Sequence, residues 1–307
     1  MTSEMLKRFV KDESLPIQLL KEPYFSYFIN LYDKDFNTVK KYSDLCDAIR
    51  AFGSEDRFLQ EYHDVRDKVI ISTKALPSYA EYTKYDMSRF DIDVPVLPNA
   101  HKTDVYKMTN VGQRFISIDM RKANFQVMKL FFPGIVRNAD TYEDFVRMFT
   151  DMEYFITSKY TRQVVFGNMI PERQTKMQKY CMKQIFNLLV REYQIPVEAF
   201  AVFTFDEVVL RRDVIDESTV QRLIEGAEKK ILAELHISVR VKPFTLRSVG
   251  GKEFYVNELE NGGVEFKKAP SIFFPQIYKK YYGMELNDND LMFYHERFMA
   301  KFQETIF

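Results

Sequence analysis

The sequence predicts an α+β fold, in which an antiparallel sheet carries helices packed on one face and follows a mostly helical N-terminal region. Residues 105–250 alternate between short apolar runs with strand character and longer stretches with helical periodicity, in the order strand, helices, strand, helix, strand. Residues 1–104 show helical patterns and proline-containing connections instead. We therefore expect an N-terminal region at 1–104, a sheet-containing domain at 105–250 and a C-terminal extension at 251–307.

Length and composition limit the classes of protein to which this chain can belong. The 307 residues, 46% of them hydrophobic and 29% charged, suit one large folded domain or two modest ones. The formal net charge is zero, so a nucleic-acid partner would need a local basic patch. The two cysteines lack the spacing of a zinc site or a disulfide framework and favour a reducing compartment. Without a long apolar run or a signal-peptide pattern, we expect a soluble, cytoplasmic protein and no membrane partner.

Helical patterns cover the first 66 residues. Residues 42–52 form an amphipathic stretch that ends at Gly53, a common helix-ending residue. Residues 54–68 form a charged helix, and 69–73 are either a short strand or the end of that helix. Three prolines among polar residues predict that 77–104 is a connecting segment.

The regular pattern begins at residue 105. A turn signal at 110–112 predicts a pair of short strands around it, and the helices that follow repeat apolar residues at intervals of three and four. Thr141 and Ser218 are suitable N-cap residues. The predicted elements are strands at 105–107 and 114–119, helices at 123–131, 141–158 and 172–193, a strand at 200–210, a helix at 218–235 and a strand at 238–246.

Two of the predicted strands carry carboxylates. Residues 200–210 are aromatic and β-branched, as in a strand buried on both faces, yet Asp206 and Glu207 interrupt them. Residues 114–119 end in Asp119. If the two strands are neighbours, these acids would form a site for Mg²⁺, which prefers carboxylate oxygen and assists phosphoryl transfer. Alternatively, each acid caps a turn or pairs with an arginine.

A basic stretch at residues 157–167 is the third feature. On a helix, Lys159 and Arg162 are three residues apart and Phe166 follows four later, so all three lie along one face. Such a face can hold triphosphate oxygens by charge and stack a base on the ring. The alternative is a solvated basic helix with a phenylalanine in the core.

In this order, the three stretches resemble motifs A, B and C of family A DNA polymerases. Residues 117–124 resemble motif A, a strand that ends in Asp, and residues 205–207 resemble the His-Asp-Glu of motif C. Residues 159–167 resemble motif B, a fingers helix with a basic residue, a Lys and a Phe-Gly pair, and Arg162 stands here at the lysine position. The resemblance covers about residues 113–250 and rests on order and spacing. It implies a palm at 105–250 with minimal fingers at about 141–195, and leaves open whether 1–104 act as a thumb.

The resemblance implies a nucleotidyltransferase that adds nucleotides to a primer 3′-hydroxyl, with nucleic acid and nucleoside triphosphates as its partners. Asp119 and Asp206 would ligate two Mg²⁺ ions. Glu207 would lie beside them and help to orient a metal ion or the primer end.

The implied triphosphate site lies on the fingers helix. Lys159 and Arg162 would hold the incoming triphosphate, Arg162 would supply a proton to the leaving pyrophosphate, and Phe166 would stack on the base. Asn124 stands where the family has a glutamate that discriminates the sugar, which leaves deoxyribose against ribose open. Phe205 replaces the motif C histidine.

These departures favour a second hypothesis, a catalytically weak or inactive polymerase-like protein that binds nucleic acid or serves in assembly. A third hypothesis is an unrelated α+β structural protein whose acids are capping residues.

Overall fold

The computed structural model describes residues 1–93, 95, 105–295 and 298–307. The described part confirms the α+β prediction, because its helices surround one antiparallel sheet of six strands in the order β2-β3-β1-β4-β5-β6. The strands of this sheet are β1 (Arg114–Met120), β2 (Phe200–Phe203), β3 (Glu207–Arg211), β4 (Val239–Val249), β5 (Lys252–Leu259) and β6 (Val264–Lys267). A separate hairpin consists of β7 (Met292–His295) and β8 (Phe298–Lys301).

The N-terminal region is helical, as predicted. Residues 69–73 belong to a long helix, and residues 77–84, predicted as a connection, also form one. That prediction was wrong because Pro77 occupies the first turn of the helix. A backbone N–H at that position has no partner within the helix, so proline, which lacks one, is tolerated there. The rest of the predicted connection includes residues 94 and 96–104, which lie outside the described part. The helices are α1 (Ser3–Asp12), α2 (Tyr24–Leu31), α3 (Asp33–Phe36), α4 (Thr38–Phe52), α5 (Glu55–Lys74) and α6 (Pro77–Lys84).

Seven further helices follow in the described part: α7 (Ala123–Phe131), α8 (Tyr142–Arg147), α9 (Glu153–Thr157), α10 (Lys159–Gly167), α11 (Pro171–Tyr193), α12 (Glu217–Leu235) and α13 (Phe274–Tyr282). Thr141 caps α8 as predicted, in a reciprocal pair with Asp144. The single helix predicted at 141–158 was wrong, since the chain leaves the helix between α8 and α9, where the Thr150 hydroxyl accepts a hydrogen bond from the Met152 N–H. Asp216, and not Ser218, caps α12. None of the described helices combines the length and apolar character needed to cross a membrane.

The first four strands follow the β-α-β-β-α-β order, with β1 in the middle of the sheet between β3 and β4. β5 and β6 then extend the sheet beyond β4, so the expected boundary at residue 250 falls between two hydrogen-bonded strands. The strand predicted at 105–107 was wrong. These residues lead into a 3₁₀ turn at Met108–Asn110, and Val105 packs on the sheet without joining it.

The strand predicted at 200–210 was also wrong, because it is a hairpin made of β2 and β3. Thr204 closes the turn: its N–H donates to the Glu207 carbonyl oxygen at 2.8 Å, and its hydroxyl accepts from the Glu207 N–H at 3.0 Å. Asp206 and Glu207 therefore lie at the turn and at the start of a strand, where water can reach them. This position removes the difficulty of placing two charges inside a buried strand.

The two faces of the sheet differ. Ile116, Ile118 and Met120 of β1 belong to the main core, which they share with residues of α7, α11 and α12. The alternate residues of β1 point to the opposite face, as the two-residue period of a strand requires. There Phe115 joins a smaller apolar cluster, and Asp119 lies at the polar end of the face. Helices packed on one face of the sheet, as predicted, thus leave the other face for polar groups.

Candidate active site

The structure brings together the three acids that the sequence singled out. β1 pairs with β3 so that Asp119 is directly opposite Glu207, and such cross-strand neighbours have Cβ atoms about 5 Å apart. Asp206 precedes Glu207, and its carbonyl oxygen accepts a hydrogen bond from the Met120 N–H at 2.8 Å. The end of β1 and the β2–β3 turn therefore place three carboxyl groups in one small region.

The electrostatics of this region are unfavourable for ionised carboxylates. Burial, together with the charges of Glu207 and Asp206, raises the pKa of Asp119 to about 6, although the positive charges of Lys242 and Arg240 oppose the rise. Burial also raises the pKa of Asp206, against a hydrogen bond from the Thr204 hydroxyl. The Asp119 carboxylate makes no hydrogen bond or ion pair with any residue in the described part of the chain. A cation would relieve this concentration of negative charge.

The Glu207 carboxylate has a partner within the sheet. The Ser117 hydroxyl donates a hydrogen bond to it at 2.5 Å, and both side chains lie on the polar face. This bond fixes the direction of Glu207 beside Asp119. No role was predicted for Ser117 from the sequence, although its position two residues before Asp119 places it on the same face of the sheet.

Two lysines line the same face beyond the acids. Lys242 is the cross-strand partner of Ser117, and its ammonium lies 2.6 Å from Glu265, which also pairs with Lys267 at 3.1 Å. Burial raises the pKa of Glu265, but the Lys242 hydrogen bond and the two positive charges bring it below its ordinary value. A polar face with acids at one end and lysines beside them can bind a cation and an anion together.

The acids suit a hard divalent cation in chemical type, because their oxygens are the ligands that Mg²⁺ prefers. In the residues that the structure describes, however, no three His, Cys, Asp or Glu side chains form a closed ligand group. Asp119 and Asp206 are thus two available carboxylates, and water or substrate oxygens would complete a coordination shell. The donor set fits Mg²⁺ held partly by its substrate.

The predicted triphosphate residues are on α10, and they differ in exposure. Lys159 is exposed at the first turn, and Arg162 is half-buried with its guanidinium carbon 5.6 Å from the centre of the Tyr142 ring. Burial lowers the pKa of Arg162, against the opposing effects of Tyr142 and Glu143. Lys159 and Arg162 therefore both lie on α10, and the Arg162 guanidinium is partly desolvated.

Phe166 does not lie where a base could stack on it. Its side chain is fully buried, with the ring centroids of Phe125 and Tyr142 at 6.4 and 6.2 Å. The structure therefore supports the alternative, a core phenylalanine, and no face of the ring is open to a base. Phe205, which replaces the motif C histidine, is instead 43% exposed at the hairpin turn.

Asn124 lies in the first turn of α7, five residues after Asp119. Its side-chain oxygen accepts a hydrogen bond of 2.5 Å from the amide of Gln178 on α11. This hydrogen bond links α7, which follows the acidic end of β1, to α11. Asn124 is half-buried, so part of its side chain faces solvent.

The N-terminal region supports α10. The buried Asp12 carboxylate accepts a hydrogen bond at 2.9 Å from Ser158, the residue that caps α10. The Tyr62 hydroxyl lies 2.6 Å from the Thr161 hydroxyl in the next turn. Helices of residues 1–104 therefore hold in place the helix that carries Lys159 and Arg162.

The candidate site is identified from the geometry of this chain alone. No protein-family model, no curated protein and no solved structure gives a match to it.

Proposed function

We propose that this protein is a nucleotidyltransferase resembling a family A DNA polymerase, which adds nucleotides to the 3′-hydroxyl of a primer. The observation that carries the proposal is the convergence of Asp119, Asp206 and Glu207 at one end of β1. These acids are 87 residues apart along the chain (206 − 119), so their meeting is a property of the fold. The free thiols Cys46 and Cys181 suit the reducing cytoplasm in which we place this activity.

In this proposal Asp119 and Asp206 hold Mg²⁺. The metal, when bound, stabilises the charge on the attacking and leaving oxygens. The primer 3′-hydroxyl gives its proton to water and its oxygen forms a bond to the α-phosphorus, while the bond from that phosphorus to the bridging oxygen breaks and pyrophosphate leaves. Glu207, fixed by Ser117, orients the primer end, while Lys242 and Lys267 lie on the same face for phosphate contacts.

The incoming nucleoside triphosphate binds on the other side of the acids in this proposal. Arg162 and Lys159 contribute positive charge from α10. The partly desolvated guanidinium of Arg162 binds phosphate more strongly than an exposed one, because the local dielectric is lower. Base stacking falls to a side chain other than Phe166.

A second candidate is a polymerase-like protein that binds nucleic acid, or serves in assembly, with weak or no catalysis. Two observations favour it. Phe166 is in the core, and the Asn124 amide is engaged by Gln178. Neither residue then performs the role that the resemblance implies for its position.

Incorporation of radiolabelled nucleotide on a primed template with Mg²⁺ tests the proposal. We expect extension by the wild type and a loss of about 1,000-fold in Asp206→Ala, the size typical of one preorganised electrostatic group. Asp140→Ala is the matched control, since the Asp140 side chain is 90% exposed, pairs with Lys129 and has no part in the proposed site. Equal extension by wild type and Asp206→Ala would refute the proposal.

The same preparation separates the alternatives. Binding of the primed template by wild type, without extension, would favour the second candidate. Binding of neither nucleotide nor nucleic acid would favour a structural protein whose acids have no catalytic role.

A further inference from the structure

A second charged group lies between the end of β1 and α10. Lys122 follows β1 by two residues, adopts a left-handed backbone conformation with φ of 50°, and directs its ammonium onto both oxygens of Glu143. Glu143 is in the first turn of α8. The ring of Tyr142 lies beneath the group, with the Lys122 ammonium 6.0 Å and the Arg162 guanidinium carbon 5.6 Å from its centre.

The charges of this group do not balance. Lys122 and Arg162 supply two positive charges, and Glu143 supplies one negative charge. Glu143 is committed to Lys122 by two contacts. The Arg162 guanidinium makes no hydrogen bond or ion pair within the described residues, and only the Tyr142 ring and the nearby charge of Glu143 stabilise it. A half-buried guanidinium without an acceptor is costly, since its five donors have lost part of their water. The group therefore has spare capacity for an anion.

The charged group of Lys122, Glu143 and Arg162 is connected through Lys122 to the acids at the end of β1. Lys122 is three residues after Asp119, so a phosphate chain held by Lys122 would lie close to the carboxylates at the end of β1. Glu143 and Lys122 are accessible at the surface, with 24% and 34% of their side chains exposed. A small anion can reach them without unfolding the core.

Resting on the proposed function, we propose that Glu143 occupies the place of the nucleotide phosphates, and that a nucleoside triphosphate binds between Lys122 and Arg162 by displacing it. Lys122, to which the resemblance assigned no role, is then a phosphate ligand. Glu143 is an internal competitor that weakens triphosphate binding and rejects singly charged anions, which cannot replace a bidentate carboxylate.

Calorimetric titration with deoxyadenosine triphosphate and with inorganic tripolyphosphate tests this inference. Glu143→Gln keeps the shape of the side chain and removes its charge, so we expect both ligands to bind about fivefold more tightly. Lys122→Ala and Arg162→Ala are expected to bind about tenfold more weakly, with Arg162→Lys between them and the wild type. Glu153→Gln is the matched control, because Glu153 is a nearby helix-start acid that pairs with Arg147 and not with this group.

Unchanged or weaker binding by Glu143→Gln, or unchanged binding by Lys122→Ala, would overturn the inference, as would a wild type that binds neither ligand. Circular dichroism of each variant checks that it is folded. Failure of the proposed function is distinguishable: triphosphate binding with the expected dependence on Lys122 and Glu143, but no primer extension, retains this site and rejects the polymerase activity. Primer extension with binding indifferent to Glu143 rejects this inference alone.

Discussion

Replacement of Asp119 by asparagine should stabilise the protein at neutral pH. Burial and the charge of Glu207 raise the pKa of the Asp119 carboxyl to about 6 from an ordinary value of 3.8. The folded state therefore binds a proton more tightly than the unfolded state does. The contribution of Asp119 to stability is fully present below about pH 4 and is lost as the pH rises through about 6, because the folded protein must then hold an ionised carboxylate in an unfavourable place.

The size of the effect follows from the same values. The difference between 3.8 and about 6 corresponds to at most roughly 3 kcal/mol of unfolding free energy above pH 6. Asp119 is only half-buried, so solvent screening reduces this, and we expect about 1.5 kcal/mol. Asparagine has nearly the same shape, and in the described part no hydrogen bond to the carboxylate is lost. The expected rise in Tm is about 3 °C for a chain of this length.

Thermal unfolding of wild type and Asp119→Asn at pH 7.5 and at pH 4 measures the effect. The gain should be present at pH 7.5 and nearly absent at pH 4, where the wild-type carboxyl is protonated. Asp140→Asn, at an exposed position, should change neither value. A variant that is less stable at pH 7.5, or equally stabilised at both pH values, would refute the argument that the Asp119 charge is costly.

Two further substitutions test the packing of the fold, one in the C-terminal part and one on α10. Asp290→Ala should lower the unfolding free energy by about 3–5 kcal/mol, because it leaves the buried Lys279 ammonium without its partner at 2.7 Å; urea denaturation with an unchanged midpoint would contradict this. Phe166→Ala should cost about 3–5 kcal/mol in the same assay, as expected for a buried ring, and a loss below 1 kcal/mol would instead indicate a surface role.

Local patterns were enough to predict much of the fold. β1 and α11 were predicted within one or two residues of their ends, since apolar alternation and a long helical stripe define them. The β2–β3 hairpin was missed because the turn at Thr204 contains neither glycine nor proline and is closed by a threonine hydroxyl. Phe203 and Phe205 continue the aromatic pattern up to Asp206, so the two acids looked like charges inside one strand and not like part of a turn.

The site was predictable only in part, for a related reason. Asp119, Asp206 and Glu207 were conspicuous as charges among apolar residues, and the sheet brought them together. Pairs such as Lys122 with Glu143 and Lys242 with Glu265 join residues 21 and 23 positions apart. Each of these residues is ordinary in its own segment, so their association depends on how α8 and β6 pack, which no local pattern reveals.

The pKa values distinguish Asp119 from a capping acid of the same chain. Asp216 caps α12, and hydrogen bonds from Ser218 and Thr219 lower its pKa to about 2, so its charge stabilises the fold. If Asp119 had the capping role that the structural hypothesis assigns to it, its pKa would be lowered in the same way. Instead it is raised, and the carboxylate has no donor among the described residues. Asp119 therefore lacks the property of a capping acid, and a raised pKa of this kind, which is common among the acids of functional sites, supports the proposed function.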